Sequence, residues 1–337
     1  MEAIAESTQS ALFQELPARP LVSIVVRTHG PRLGFLQEAY ASIVAQEYRP
    51  IEVIVVEDGS SNAAEWIAEQ QASLDSGGEF RLIYLPVEHG GRCKAGNTGL
   101  QAATGQLCGF LDDDDQFLAG HIEALVSALA DNAQCGAAYA VALEVPTKIA
   151  SLNPLNYQEL GRYVSLAEEF DADRLTRRNI TPIQCVLFRL ELFEHFGGLD
   201  ERLDALEDWD LWRRYAQAAP FAFVNSVTSL YRVPGDPEAA RRRQLIFSDY
   251  QKIVERLWRV DPERTQLSGP HFGQDRANVT RQAREAAADL PQHGRESRTL
   301  SQRLRTAARD YLLHHPRLYA CWWHTRLRRK RSRATVW

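Results

Sequence analysis

At 337 residues, with 45% hydrophobic and 25% charged residues, the chain has the composition of an ordinary soluble globular protein, which excludes a disordered or fibrous one, and it can bury a sizeable core. A net charge of −5 argues against a general nucleic-acid binder, and no nucleic-acid partner is expected; residues 299–337 nonetheless hold ten Lys and Arg against one acid, Asp310, so the rest is more acidic than the total. The five cysteines, Cys93, Cys108, Cys135, Cys185 and Cys321, form no C-x-x-C pair and suit neither a disulfide framework nor a zinc site, which points to a reducing compartment. The start, M-E-A-I-A-E-S-T-Q-S, lacks a basic region followed by an apolar core, and no long uncharged apolar run occurs, so a cytoplasmic protein is expected.

Leu21 to Val26 is a β-branched apolar run closed by Arg27-Thr28-His29-Gly30, after which Leu33, Leu36, Tyr40, Ile43 and Val44 recur at helical spacing. Ile51 to Val56 reads as a second strand, Glu57-Asp58-Gly59-Ser60 as its turn, and residues from near Asn62 to Leu74 as a helix. Phe80 to Leu85 makes a third strand. A glycine-rich loop, His89 to Arg92, leads into a short helix through Asn97 to Ala103, and a fourth strand, Leu107 to Leu111, runs straight into Asp112-Asp113-Asp114-Asp115. Buried runs alternating with amphipathic helices imply a largely parallel sheet covered on both faces, with ligands held just beyond the carboxyl ends of its strands. Thr28, Asp58 and Asp112 stand at such ends. A strand from Ala137 to Val145, a loop at Asn153-Pro154, an apolar run from Ile183 to Phe188 and a helix opening near Glu207 complete the same domain. The organisation expected is an N-terminal extension over 1–19, an α/β domain over 20–236 and a helical, basic region over 237–337.

Consecutive carboxylates repel, and three arrangements account for Asp112 to Asp115. One is an acidic turn capping the next helix, whose Leu118, Ile122, Leu125, Val126 and Leu129 fall at helical spacing, although a cap needs one carboxylate. A calcium loop through Asp112, Asp114 and Glu123 fails, because Phe117 stands where the loop needs glycine and a strand precedes it. The third is a divalent cation held by a D-x-D pair, with substrate phosphates completing its shell; such a cation also removes the repulsion. A second acidic pair, Glu207-Asp208, opens a helix, where it either offsets the helix dipole or forms a separate carboxylate site. Gly91 and Gly96 are spaced as in a P-loop, but Asn97 replaces the lysine, so that reading fails.

V-S-I-V-V-R-T-H-G, I-E-V-I-V-V-E-D-G-S, G-G-R-C-K-A-G-N-T-G-L, F-L-D-D-D-D and G-G-L-D-E-R-L-D-A-L-E-D-W-D-L-W, in this order over roughly residues 20 to 235, resemble the inverting glycosyltransferases of family 2. The resemblance implies a GT-A fold, a Rossmann-like α/β domain for nucleotide-diphospho-sugars with a mostly parallel sheet. It implies transfer of a sugar from a nucleoside-diphosphate sugar, a UDP-sugar being favoured, to a hydroxyl of a saccharide or lipid-linked acceptor in cell-surface polysaccharide, lipopolysaccharide or glycoconjugate synthesis. On this resemblance Asp58 accepts the imide N–H of the base, Glu57 stands where most members have a first Asp, and Thr28 lines the same pocket. Lys94, Asn97 and Arg92 lie near ribose and phosphate, with Gly96 replacing an Arg that members often carry and Lys94 supplying its charge. Asp114 and Asp112 bind the cation, Mn²⁺ or Mg²⁺, and Asp112 or Asp113 lies toward the ribose, with the register in the four-residue run open by one. Asp115 is left as the helix cap.

An inverting transfer needs a base on the attacking side and charge neutralisation on the leaving group. The resemblance makes Asp208 the base, with Glu207 at the acceptor, while Asp210 offsets the helix dipole. Asn179 and Gln184 either line the acceptor pocket or make structural hydrogen bonds, and Tyr231-Arg232 resembles a phosphate-contacting position. A sugar nucleotidyltransferase would carry a glycine- and arginine-rich loop where Arg27 to Pro31 stands, and a non-catalytic nucleotide-sugar-binding protein has no need of both carboxylate sites. The Q-x-x-R-W motif of processive synthases is missing, so transfer of one or a few sugars is expected. Leu300 to Trp337, with Trp322, Trp323 and Arg328-Arg329-Lys330-Arg331, reads either as a basic interfacial helix in peripheral contact with the inner membrane face or as a helix packed on the domain with a solvated tail.

Overall fold

The computed structural model describes residues 12–74 and 78–261, so the expectations for residues 262–337, including any membrane contact, lie outside the described residues. Strand β1 (Val22–His29) pairs in parallel with β2 (Ile51–Asp58) and with β4 (Leu107–Asp112), and β3 (Phe80–Val87) adds to β2. Helices α1 (Leu33–Val44), α2 (Ala64–Ser73) and α3 (Arg92–Ala102) are the crossovers. Every residue of β2 is buried, as a strand covered on both faces requires. Alternation divides the core in two: Val25, Ile54 and Val56 belong to one apolar cluster, and Ile24, Val26, Val53 and Val55 to the other.

Beyond β4 the sheet becomes mixed. Its path runs β3-β2-β1-β4-β9-β6-β10-β5, where β5 is Gln116–Phe117, β6 is Ala137–Leu152, β9 is Val186–Arg189 and β10 is Phe221–Pro234. β9 is antiparallel to both β4 and β6, β10 is parallel to β6, and β7 (Leu155–Glu159) and β8 (Tyr163–Ser165) fold back antiparallel on β6. The expectation of a largely parallel sheet therefore describes the first four strands; short direct returns such as β6 to β7 can only pair antiparallel.

Four further helices and one longer one pack against this sheet: α4 (His121–Asp131), α5 (Ala172–Arg177), α6 (Leu190–Phe196), α7 (Glu207–Ala218) and α8 (Pro237–Val260). α7 buries Trp209, Leu211, Trp212 and Tyr215. α8 begins at a cap, Asp236 accepting from the Ala239 N–H at 2.9 Å, with Pro at its first turn, and it sets Ile246, Tyr250 and Val254 into the same cluster as those α7 residues. Among the described residues no helix is long and apolar enough to cross a membrane.

Candidate active site

The four aspartates begin with the last residue of β4, and β1 contacts them through both main chain and side chains. The Asp113 N–H donates to the Arg27 carbonyl at 3.1 Å, and the Arg27 guanidinium takes Asp112 in a fork, with Nε to Oδ1 at 2.7 Å and Nη2 to Oδ2 at 3.0 Å. Arg32, just before α1, donates from Nε to Asp113 Oδ2 at 2.8 Å and from Nη2 to Asp113 Oδ1 and Asp114 Oδ2. Thr28 Oγ1 adds a bond of 2.7 Å to Asp113 Oδ2. Both arginines are buried, so two guanidiniums already offset the repulsion that the sequence argument left to a cation. Arg27, and behind it Arg92, hold Asp112 below the usual carboxylate range although burial works the other way; burial lifts Asp113 to about 6 against the pull of Arg32, with the Asp114 charge adding.

Asp115 corrects its expectation. It is buried and accepts the Arg232 N–H at 3.0 Å, while α4 starts only after Gly120, whose φ of +76° breaks the chain from the acidic turn. Arg232 itself is a buried tie rather than an open phosphate contact, because its Nη1 donates to the Asp114 carbonyl at 2.6 Å and its Nη2 to Glu38 and the Tyr157 hydroxyl.

Glu207 and Asp208 form the first turn of α7, entered through Leu206 at φ +58°, a left-handed conformation that is uncommon outside glycine. Asp208 Oδ2 accepts from Asn179 Nδ2 at 2.8 Å and Oδ1 from the Trp209 N–H at 2.8 Å. Burial, joined by the Glu207 charge, pushes Asp208 up to about 7 against those hydrogen bonds. Glu207 Oε1 faces Arg27 Nη1 at 3.2 Å and Arg92 Nη1 at 3.4 Å, so the guanidinium that grips Asp112 also reaches the second acidic site. Asp210 is fully buried between Arg214 (3.1 Å) and the Trp258 indole N–H (2.9 Å), a structural position. Gln184 is buried too, and its amide nitrogen makes no hydrogen bond among the described residues.

On the β2 side, Asp58 tethers the glycine-rich loop. Its Oδ1 accepts the Gly90 N–H at 2.7 Å, and its Oδ2 accepts the Gly91 N–H at 3.1 Å and faces His89 Nδ1 at 2.8 Å. Burial raises its pKa, but the His89 contact and the two amides together outweigh that and lower it. Glu57, expected in the base-binding turn, has both oxygens taken: Ser60 and the Asn62 N–H donate to Oε1, the Ala63 N–H and Tyr84 to Oε2. Its task is to hold the turn that carries Asp58. Asn97, expected beside ribose and phosphate, is buried and clamps α3 to the loop before α7, with Nδ2 donating to the Leu199 carbonyl at 2.9 Å and Oδ1 accepting the Leu199 N–H at 2.7 Å. The Lys94 stem lies against Gly90, and at Gly96 the nearest neighbours include the Arg27 stem. Thr28 contacts Asp113 and so belongs to the acidic turn.

Arg27 and Arg32 were not picked out from the sequence as site residues. The signal available was a charge inside the apolar run of β1 and another just before α1; a buried guanidinium demands a buried carboxylate. The structure thus brings Asp112 and Glu207 together on Arg27, with Arg92 near both, while Asp208, held by Asn179, follows Glu207.

The chain resembles known proteins over the same region. An uncharacterized glycosyltransferase of Bacillus subtilis, EpsJ, is 30% identical over 210 residues, which are 60% of this chain and 55% of that one. A glycosyltransferase of Rickettsia prowazekii is 30% identical over 221 residues, 64% of each chain. The chain thus spans less than two thirds of the length of these relatives. The mannosyltransferase PcManGT from Pyrobaculum calidifontis, solved with GDP-Man and Mn²⁺, aligns over 91% of both chains with a TM-score of 0.54 at 20% identity, a likeness of fold, and that fold is GT-A. The sequence profile of glycosyl transferase family 2 matches residues 23–194, and with that match the chain belongs to this family of glycosyltransferases.

Proposed function

We propose that the protein moves a sugar from a nucleoside-diphosphate sugar, with UDP-sugars favoured, to a hydroxyl of a saccharide or lipid-linked acceptor in a single displacement that inverts the anomeric carbon. The observation that carries the reading is the meeting of two acidic sites far apart in sequence: Arg27 contacts both Asp112 and Glu207, and Asp208 follows directly. Asp208 suits the base. Its two oxygens are oriented by Asn179 and the Trp209 N–H, and a pKa of about 7 leaves it both ionised and basic near neutral pH. Asp208 takes the proton of the acceptor hydroxyl, the oxygen forms its bond to the anomeric carbon, and the bond to the diphosphate breaks with its electron pair leaving on the phosphate. Gln184, whose buried amide nitrogen has no hydrogen-bond partner among the described residues, is a candidate to bind the acceptor.

The residues present fit a divalent cation by their chemistry: Asp114 and Asp112 would supply the hard carboxylate oxygens that Mn²⁺ or Mg²⁺ takes, with substrate phosphates and water completing the shell. When bound there, the cation supplies Lewis-acid neutralisation of the diphosphate. The chain's own contribution is Arg92, partly exposed above Asp112 and Glu207, and the Asp58 tether of the loop from His89 to Gly91. Calorimetry of UDP, GDP and dTDP with and without Mn²⁺ tests the reading, and binding of at least one that strengthens with the metal is expected. No binding of any of the three refutes it.

A further inference from the structure

We propose that Arg27 is a positioning residue that couples the donor side of the site to the acceptor side, holding Asp112 and Glu207 on one guanidinium so that a change at either is felt at the other. The inference rests on the reading just given. Arg27 is the one charged residue in the apolar run of β1, and it lies directly beside Asp112 in the strand register. Its stem is packed: the guanidinium carbon sits 5.6 Å from the centre of the Phe110 ring, and the stem passes Gly96 of α3 within van der Waals reach of where a Cβ would stand. Three of its five N–H groups are accounted for, two on Asp112 and one on Glu207.

Simple charge neutralisation explains less than this geometry offers. Arg92 reaches the same two carboxylates, at 3.4 Å to Glu207 and 3.9 Å to Asp112, from a partly exposed position, so it adds positive charge there without the short forked contact. Arg27 does both from a buried one. A planar fork gripping one carboxylate with two donors and a second with a third cannot turn toward one without turning from the other. Removing the Glu207 charge therefore shifts the hold on Asp112, and by reciprocity a ligand that draws on Asp112 shifts the hold on Glu207. Lysine keeps the charge at this position but lacks the fork.

The test is a double-mutant cycle on nucleotide binding. Kd for UDP and GDP with Mn²⁺ is measured by calorimetry for the wild-type chain, Glu207→Gln, Arg27→Lys and the pair, below the melting temperature of each. The effect of Glu207→Gln is expected to differ ~threefold or more between the two backgrounds. Arg189→Lys, which alters a buried arginine whose side chain hydrogen-bonds, among the described residues, to main-chain carbonyls of Gln14, Ala133 and Cys135, is the control and should show no such coupling. A merely structural Arg27 lowers the melting temperature yet leaves the two effects on Kd multiplying independently, and that result overturns the inference alone. A wild-type chain that binds no nucleoside diphosphate overturns the proposed function and this inference with it.

Discussion

Asp208→Asn keeps the shape of the side chain and removes its basicity. The amide still offers one oxygen, so of the two bonds now made, from Asn179 Nδ2 and from the Trp209 N–H, one is kept and one is lost, a loss of about 1 kcal/mol of stability, and the repulsion from Glu207 disappears with the charge. Folding and nucleotide binding should therefore survive. Transfer should not: a positioned base is worth about 10²–10⁴-fold, and the variant should lose that much turnover. The wild-type enzyme should show the matching pH dependence. With Asp208 at about 7 the base is half ionised at neutral pH and only about 1% ionised two units lower, so the rate should fall roughly fiftyfold between those points and level off on the alkaline side. Release of nucleoside diphosphate from the nucleotide sugar, with water or a saccharide mixture as acceptor, measures both. Turnover retained in Asp208→Asn, or a wild-type rate flat across that range, refutes the assignment.

Three further outcomes follow from the contacts. Asn179→Ala removes a hydrogen bond that lowers the Asp208 pKa, so the acid limb of the rate profile should move to higher pH, and a limb that stays or moves down contradicts the role given to Asn179. Asp114→Ala should weaken nucleotide binding about tenfold or more when Mn²⁺ is present and little when it is absent; equal losses under both conditions would remove Asp114 from the cation. Gly198→Ala drives a methyl into Asn97 and opens the clamp on Leu199, with ~1–3 kcal/mol of stability lost in a thermal melt and unaltered melting counting against the clamp.

The first four strands and the polar residues at their carboxyl ends were legible in the sequence, because β1, β2 and β4 are nearly all buried and write themselves as apolar runs, while the turns after them do not. Which residue does what inside those turns was not. Arg27 and Asp112 are 85 positions apart, Asn97 and Leu199 102, and nothing in either local pattern announces the partner. The resemblance placed Glu57 and Asn97 at the nucleotide, but it carried no sign of the hydrogen bonds by which both also hold loops, and Arg27 and Arg32 beside the aspartates went unseen in the charge argument. The antiparallel pairing of β9 was hidden for the same reason, since a four-residue run cannot declare the direction of its neighbours.

The helix that opens the basic region in chain order, α8, is tied to α7, the helix that carries Glu207 and Asp208. The Trp258 indole donates to Asp210, two residues from Asp208, while Arg213 of α7 lies 4.2 Å from the centre of the Trp258 ring and Tyr250 bonds Asp204 at 3.0 Å just ahead of Leu206. The change of composition at Pro237 therefore falls just before a helix that contacts α7. A shortened chain that stops there would leave α7, with Glu207 and Asp208, without that brace, whereas one that keeps α8 retains it.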